Sequence, residues 1–191
     1  MDAKRRILIL AASPRKNGNS TTLALRAAEG VRDGGGEASV QLIGHMNINP
    51  CSACDYCRSN PEAGCRNRDD MQPLYAKIRE AHGILFATPI YWFNMSAQMK
   101  LLIDRTYAVH IGDSYALTGK DVGVILTYED EDVYASGGVN ALRTFQDIFR
   151  YVRANPVGAV YGTAGNPWDA QDNPTLMQKA YDLGKKLANP K

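Results

Sequence analysis

The chain has 191 residues, 45% of them hydrophobic, and a formal net charge of +2. That length is most simply one domain over residues 1–191, large enough to bury a full core without metal or disulfide staples. The charge is too small to predict nucleic acid or an anionic membrane as a partner, and no apolar stretch approaches the roughly 18 residues needed to span a bilayer.

Met1 to Arg6 is basic, but the apolar run Ile7 to Ala12 is too short for a signal-peptide core and leads straight into Ser13-Pro14-Arg15. With no export signal and thiols that must stay reduced, a cytoplasmic location is expected. Ile7 to Ala12 reads instead as a parallel strand covered on both faces. The next ten residues, Ser13 to Thr22, contain neither G-x-G-x-x-G nor a Walker lysine. They offer hydroxyls, amides and two cations just ahead of a helix, which suits a single terminal phosphate drawn to backbone N–H groups and the helix dipole. The competing reading is an ordinary N-cap, Asn19 or Ser20, behind a polar loop. The helix itself carries Leu23, Ala27 and Val31 every four residues and stops at Gly34-Gly35-Gly36.

Ser39 to Ile43 reads as a second strand. A cysteine-rich loop at about 44–68 follows, with Cys51, Cys54, Cys57 and Cys65, the chain's four cysteines, spaced C-x2-C-x2-C-x7-C. Such a tight run lets one short loop wrap a 4Fe-4S cluster, with the fourth thiolate arriving from further along. A four-thiolate zinc site, disulfides and an empty or redox-active thiol loop are the alternatives. Asp69-Asp70 starts a helix with Met71, Leu74 and Ile78 on one face, and Ile84 to Thr88 is a third buried strand.

The loop from Thr88 to Ser96 holds Pro89, Ile90, Tyr91, Trp92, Phe93 and Asn94. Three successive aromatics at a strand end either form a dimer patch or cover a flat heteroaromatic ring, with Asn94 and backbone amides at its polar edge. A phosphate site and an aromatic platform on adjacent strands describe a mononucleotide with a large ring, and FMN fits both. Met95, Met99, Leu102 and Ile103 mark the next helix, and Val122 to Thr127 a fourth strand. The acidic run Glu129 to Asp132 reads as a solvated loop, with a lid over the ring as the minor reading. Leu142, Phe145, Phe149 and Val152 mark a helix, Val157 to Tyr161 a fifth strand, and Leu176, Ala180, Leu183 and Leu187 the last helix. None of the three histidines (His45, His82, His110) pairs at ligand spacing, and His82 reads as a helix-terminal residue.

Five strands each followed by a helix predict an α/β fold, a three-layer doubly wound parallel sheet in the flavodoxin-like order 2-1-3-4-5. Function in such a sheet lies in the loops leaving the carboxyl ends of the strands, here beginning at Ser13, Gly44, Pro89, Tyr128 and Gly162.

These motifs resemble the NAD(P)H-dependent FMN reductase branch of the flavodoxin-like superfamily, and especially its iron–sulfur flavoproteins. The matching pieces are Ser13-Pro14-Arg15 with Gly18 to Thr21, the four cysteines, Asp69-Asp70-Met71, Thr88 to Trp92, and Lys100 with Asp104-Arg105. They lie between residues 7 and about 107; the last third matches in element order only. The resemblance implies that Ser13, Arg15, Asn19, Ser20 and Thr21 hold the FMN phosphate. It implies that Pro89, Ile90, Tyr91, Trp92, Phe93 and Asn94 line the isoalloxazine, and that the protein is a homodimer or homotetramer. The expected function is an FMN-dependent oxidoreductase with NAD(P)H as a possible donor and the cluster as one-electron port to a redox partner protein or small-molecule acceptor. No catalytic side chain is required. The alternatives are a cluster-free NAD(P)H-dependent reductase of FMN, quinones or azo compounds, and a passive flavodoxin-like carrier, against which a pI of 8.3 weighs.

Overall fold

The computed structural model describes residues 4–111 and 114–190, with the backbone alone at 110 and 111. In chain order the elements are β1 (Arg6–Ala11), α1 (Asn19–Asp33), β2 (Glu37–Gln41), a one-turn α2 (Tyr56–Ser59), α3 (Gln72–Glu80) and β3 (Gly83–Tyr91). There follow β4 (Asn94–Met95), α4 (Ala97–Arg105), the short antiparallel pair β5 (His110–Ile111) and β6 (Ser114–Tyr115), β7 (Asp121–Tyr128), α5 (Gly138–Tyr151), β8 (Asn155–Thr163) and α6 (Pro174–Ala188).

Five strands pair in parallel in the order β2-β1-β3-β7-β8, which is 2-1-3-4-5 when only these are counted. The pattern of side chains explains the order. β1, β3 and β7 are almost continuously apolar and buried, so they take the middle, where both faces are covered. β2 and β8 are more polar and largely exposed or half-buried, and they form the edges. One face of the sheet packs Leu8, Leu10, Phe86 and Val124 against α3, α4 and α5. The other packs Ile7, Ile9, Leu85 and Ile125 against α1 and α6. Phe86, Phe145 and Phe149 form a tilted trio with centroids 5.6–5.7 Å apart. Helices α1 and α6 touch backbone to backbone: a Cβ on Gly184 would lie 2.0 Å from the Ala27 carbonyl oxygen, so only glycine allows this approach.

Two expectations shift. The second strand runs over 37–41 instead of 39–43; Leu42 and Ile43 leave the sheet, and Ile43 enters a 3-10 turn with its side chain buried. The third strand continues through Pro89, Ile90 and Tyr91 and pairs back with Asn94 and Met95, so the aromatic loop is the tip of a hairpin. His82 has a structural role, its Nδ1 accepting the Arg6 backbone N–H at 3.0 Å. The His110 side chain lies outside the described residues.

Candidate functional site

The loop between β1 and α1 is a turn closed on itself. The Arg15 N–H donates to Ser13 Oγ at 3.2 Å and the Gly18 N–H to the Arg15 carbonyl at 3.1 Å. The N-cap of α1 is Gly18, and no side chain caps the helix, which rules out the plain capping role considered for Asn19 or Ser20. Ser13, Asn19, Ser20 and Thr21 are all buried. Asn19 serves a different partner: its amide donates to the carbonyls of Ala164 and Asn166 at 2.7 and 2.8 Å, and its oxygen accepts the Ala170 N–H at 3.2 Å. It therefore ties the β8–α6 loop to the first loop, leaving only its backbone N–H for a ligand. Arg15 lies across the same seam, donating to the Gly165 carbonyl at 3.2 Å. Ser20 is the exception. Its hydroxyl is fully buried and has no hydrogen-bond partner, a costly condition unless a ligand completes it.

A cleft of about 90 Å³ opens here, lined by Ser13, Arg15, Gly18, Asn19, Ser20, Pro89, Ile90, Tyr91, Thr127, Tyr128, Glu129, Ala164 and Gly165. It continues into an open hollow of about 440 Å³ lined by Ile90 to Phe93, Tyr128, Glu129, Asp130 and Ser136. Ile90, Tyr91, Tyr128 and Glu129 belong to both. Trp92 and Phe93 sit in the left-handed region at φ 47° and 64°, a strained choice for bulky residues that marks functional sites. Trp92 is 94% exposed. Asn94 is spent locally, its Oδ1 accepting the Met95 N–H at 2.8 Å. Tyr128 begins one of the expected rim loops and Glu129 and Asp130 belong to its acidic run, whereas Ser136, Ala164 and Gly165 carry no signal in the sequence beyond their place after strands four and five. Burial, then Tyr161 and Asp132, push the Tyr128 phenol above its ordinary value, so it stays a proton donor.

The cysteines converge on the other side of the rim. All four are free, Cys51 and Cys54 exposed and Cys57 and Cys65 half-buried, so the disulfide alternative does not apply. They line one small cavity of about 20 Å³ together with Arg66, Asn67, Asp104, Arg105 and Tyr107. Ala53 and Asp55, between the first three, are left-handed at φ 50° and 51°, which curls the segment. The backbone N–H of Tyr56 and the Ser52 hydroxyl hold the Cys54 thiol below its ordinary pKa. Burial, then the neighbouring Cys65, Cys51 and Cys54, push Cys57 up. Among the described residues no group of three or more His, Cys, Asp or Glu is arranged to hold a metal ion.

The base of this loop is clamped. Asp70 Oδ2 accepts the Asn47 N–H at 2.7 Å, Asp69 Oδ2 accepts that of Asn49 at 3.0 Å, and Asn67 donates to the Pro50 carbonyl at 3.3 Å. Behind the clamp lies Arg105, which forks onto Asp69 at 2.5 and 3.1 Å and donates to the Asn49 carbonyl at 2.8 Å; both side chains of the pair are 1% exposed. Burial works against the Asp69 carboxylate, yet the bonds from Arg105, Asn49 and Met71 outweigh it and hold its pKa below the ordinary value. At the loop's start, Gly44 lies directly against the phosphate loop: a Cβ there would meet the Ser13 carbonyl oxygen at 1.9 Å.

A doubly wound sheet with an anion-ready helix N-terminus and an aromatic hollow at one rim defines a flavin oxidoreductase of the flavodoxin-like class. The sequence profile described as NADPH-dependent FMN reductase matches residues 5–169, and the chain belongs to that family. It is 30% identical to an iron–sulfur flavoprotein of Methanocaldococcus jannaschii over 96% of this chain and 95% of the relative. It is 31% identical to an iron–sulfur flavoprotein of Methanosarcina thermophila over 94% and 92%. Among solved structures, NAD(P)H:quinone oxidoreductase from Methanothermobacter marburgensis superposes with a TM-score of 0.75 at 18% identity, covering 97% of this chain and 96% of the other.

Proposed function

We propose that this chain binds one FMN, takes electrons from NAD(P)H, and passes them through a 4Fe-4S cluster on Cys51, Cys54, Cys57 and Cys65 to a redox partner protein or small-molecule acceptor. The observation that carries the flavin site is the orphaned Ser20 hydroxyl, buried at an uncapped helix N-terminus and facing a cleft that continues into an aromatic hollow. A phosphate dianion satisfies it. The hydroxyl donates to a phosphate oxygen, and the first-turn N–H groups and helix dipole supply the remaining attraction. Arg15, anchored on Gly165, adds positive charge at the mouth. Tyr91, Trp92 and Phe93 flank the ring and exclude water, while the Tyr128 hydroxyl and backbone amides meet its polar edge. When bound, FMN accepts an electron pair and releases single electrons, the exchange that a one-electron cluster needs.

The cluster reading rests on four free thiols sharing one cavity, with Arg66 and Arg105 beside them to offset thiolate charge. A second reading, a cluster-free reductase, draws on the smallness of that cavity, about 20 Å³. The nearly bare Trp92 and the half-exposed Phe93 favour a homodimer or homotetramer, since aromatic surface of this kind needs cover. No helix among the described residues is long and apolar enough to cross a membrane; a cytoplasmic location is part of the proposal. Anaerobic purification followed by a visible spectrum, with flavin, iron and acid-labile sulfide counted per chain, tests both readings. One FMN with four irons and four sulfides is expected. One FMN without iron selects the cluster-free reductase, and no flavin overturns both.

A further inference from the structure

The aromatic hairpin and the phosphate loop meet at one buried hydroxyl. β1 and β3 pair with Ala11 opposite Ala87, and one step further the Ala12 N–H donates to the Ala87 carbonyl at 2.8 Å. Continued regularly, this parallel ladder would bring the N–H of residue 89 to the Ala12 carbonyl. Residue 89 is proline, which has no N–H to give. A side chain replaces the missing donor: Ser96 Oγ donates to the Ala12 carbonyl at 3.2 Å. Ala12 and Ser96 are both 0% exposed, so water has no access, and a carbonyl left bare there is costly.

The other bonds of Ser96 hold that aim. Its oxygen accepts the Met99 N–H at 3.4 Å and lies 3.1 Å from the Thr88 hydroxyl, which also reaches the Pro89 carbonyl at 3.0 Å. The Ser96 backbone N–H donates to Thr88 Oγ1 at 3.1 Å. The two ends of the bond to Ala12 belong to different halves of the cleft. Ala12 immediately precedes Ser13, whose Oγ accepts the bond that closes the phosphate turn. Ser96 immediately follows β4, the return strand of the hairpin that carries Tyr91, Trp92 and Phe93.

We propose that Ser96 is a positioning residue for FMN, its hydroxyl latching the hairpin to the phosphate loop and so fixing the span between the ring site and the phosphate site. This inference rests on the flavin reading of the cleft. A ligand that joins ring and phosphate gains fully from both sites only when their separation is set before it arrives. Riboflavin and inorganic phosphate each use one half and are indifferent to the span. Pro89 is the counterpart of the latch: by withholding an N–H it leaves the Ala12 carbonyl to Ser96.

The test is a double-mutant cycle between Ser96→Ala and Pro89→Ala, the second of which returns an N–H at the ladder position facing Ala12. Flavin fluorescence on titration with FMN and riboflavin, and with inorganic phosphate as a competitor of FMN, reads the three affinities. Ser96→Ala is expected to weaken FMN about tenfold, the ligand now having to order one loop against the other. Riboflavin and phosphate are expected to stay within twofold of wild type. In the Pro89→Ala background, where the backbone can serve Ala12, the same Ser96 substitution is expected to cost less than threefold. A tenfold cost in both backgrounds makes Ser96 a cap for α4 and overturns the inference, as does equal weakening of all three ligands. A Ser96→Ala protein with wild-type FMN affinity also overturns it and leaves the flavin reading standing. If Ser96→Ala does not melt cooperatively while the double variant folds and binds FMN, the latch is supported; failure of both to fold overturns it. A wild-type protein that binds no FMN overturns the flavin reading and the inference together.

Discussion

Replacing Ser20 with alanine should act in opposite directions on the empty and the FMN-bound protein. In the empty protein the hydroxyl is fully buried and unpaired, a condition that costs about 1–3 kcal/mol. Its removal leaves a void smaller than a methyl group, so the empty variant should gain about 1 kcal/mol, which raises Tm by about 2–4 °C in a chain of this size. With FMN present the same hydroxyl donates to a charged oxygen, a bond that contributes about 1.5–3 kcal/mol. FMN affinity should therefore fall by about 10- to 150-fold, at about tenfold per 1.4 kcal/mol, while riboflavin, which lacks the phosphate, should bind as before. Thermal melts of the deflavinated protein and quenching of flavin fluorescence on titration measure the two arms. Equal losses for FMN and riboflavin would refute the phosphate assignment. So would a lowered Tm in the empty variant, because it would mean the hydroxyl has a partner within the protein.

Asp69→Asn leaves the Arg105 charge buried and uncompensated and should destabilise the fold by about 3–5 kcal/mol in urea unfolding. The same pair sets an acid limb. The Asp69 pKa in the folded chain lies below its ordinary 3.8, so the unfolded chain binds the proton first. Its contribution is complete above pH 3.8 and is lost as pH falls through the lower folded value; the variant should lack this part of the wild-type acid transition. Cys54→Ala should lose iron while keeping FMN and a cooperative melt, since the core does not depend on the loop; loss of flavin as well would contradict the separate placement of the two sites. Light scattering should give at least twice the 20.9 kDa chain mass, and Trp92→Ser should weaken that association if the exposed hairpin tip is part of the contact.

The central strands were legible because a strand buried on both faces must be apolar throughout, and Ile7 to Ala11 and Ile84 to Ala87 are. The edge strand β2 was misplaced by two residues for the converse reason. Glu37 to Gln41 is only partly buried and has no apolar run, so the pair Leu42-Ile43 drew the assignment toward itself. Spacing also brought the cysteines, the phosphate loop and the aromatic residues to one rim. What it could not reveal was division of labour. Asn19 and Asn94 look like ligand-binding amides, yet both serve the backbone nearby. Arg105 sits on a helix in an ordinary charged stretch, and its burial against Asp69 depends on a contact across 36 positions. Tyr128 and Glu129 enter the cleft only because β7 ends beside β3. Such facts belong to packing.

The clamp at residues 47–50 and 67–70 gives the cysteine segment a neck. The segment between Cys51 and Arg66 leaves and re-enters the body at nearly the same place, and among the described residues between those points only Cys57 and Cys65 pack back against the core. Segments joined this way behave as exchangeable cartridges: the interior can lengthen, shorten or change its ligand set at little entropic cost, provided the two ends still meet. A lineage could in this way acquire or discard iron chemistry without renegotiating the flavin half of the molecule. The same neck marks where an engineer would cut to move the cartridge onto another sheet of this kind.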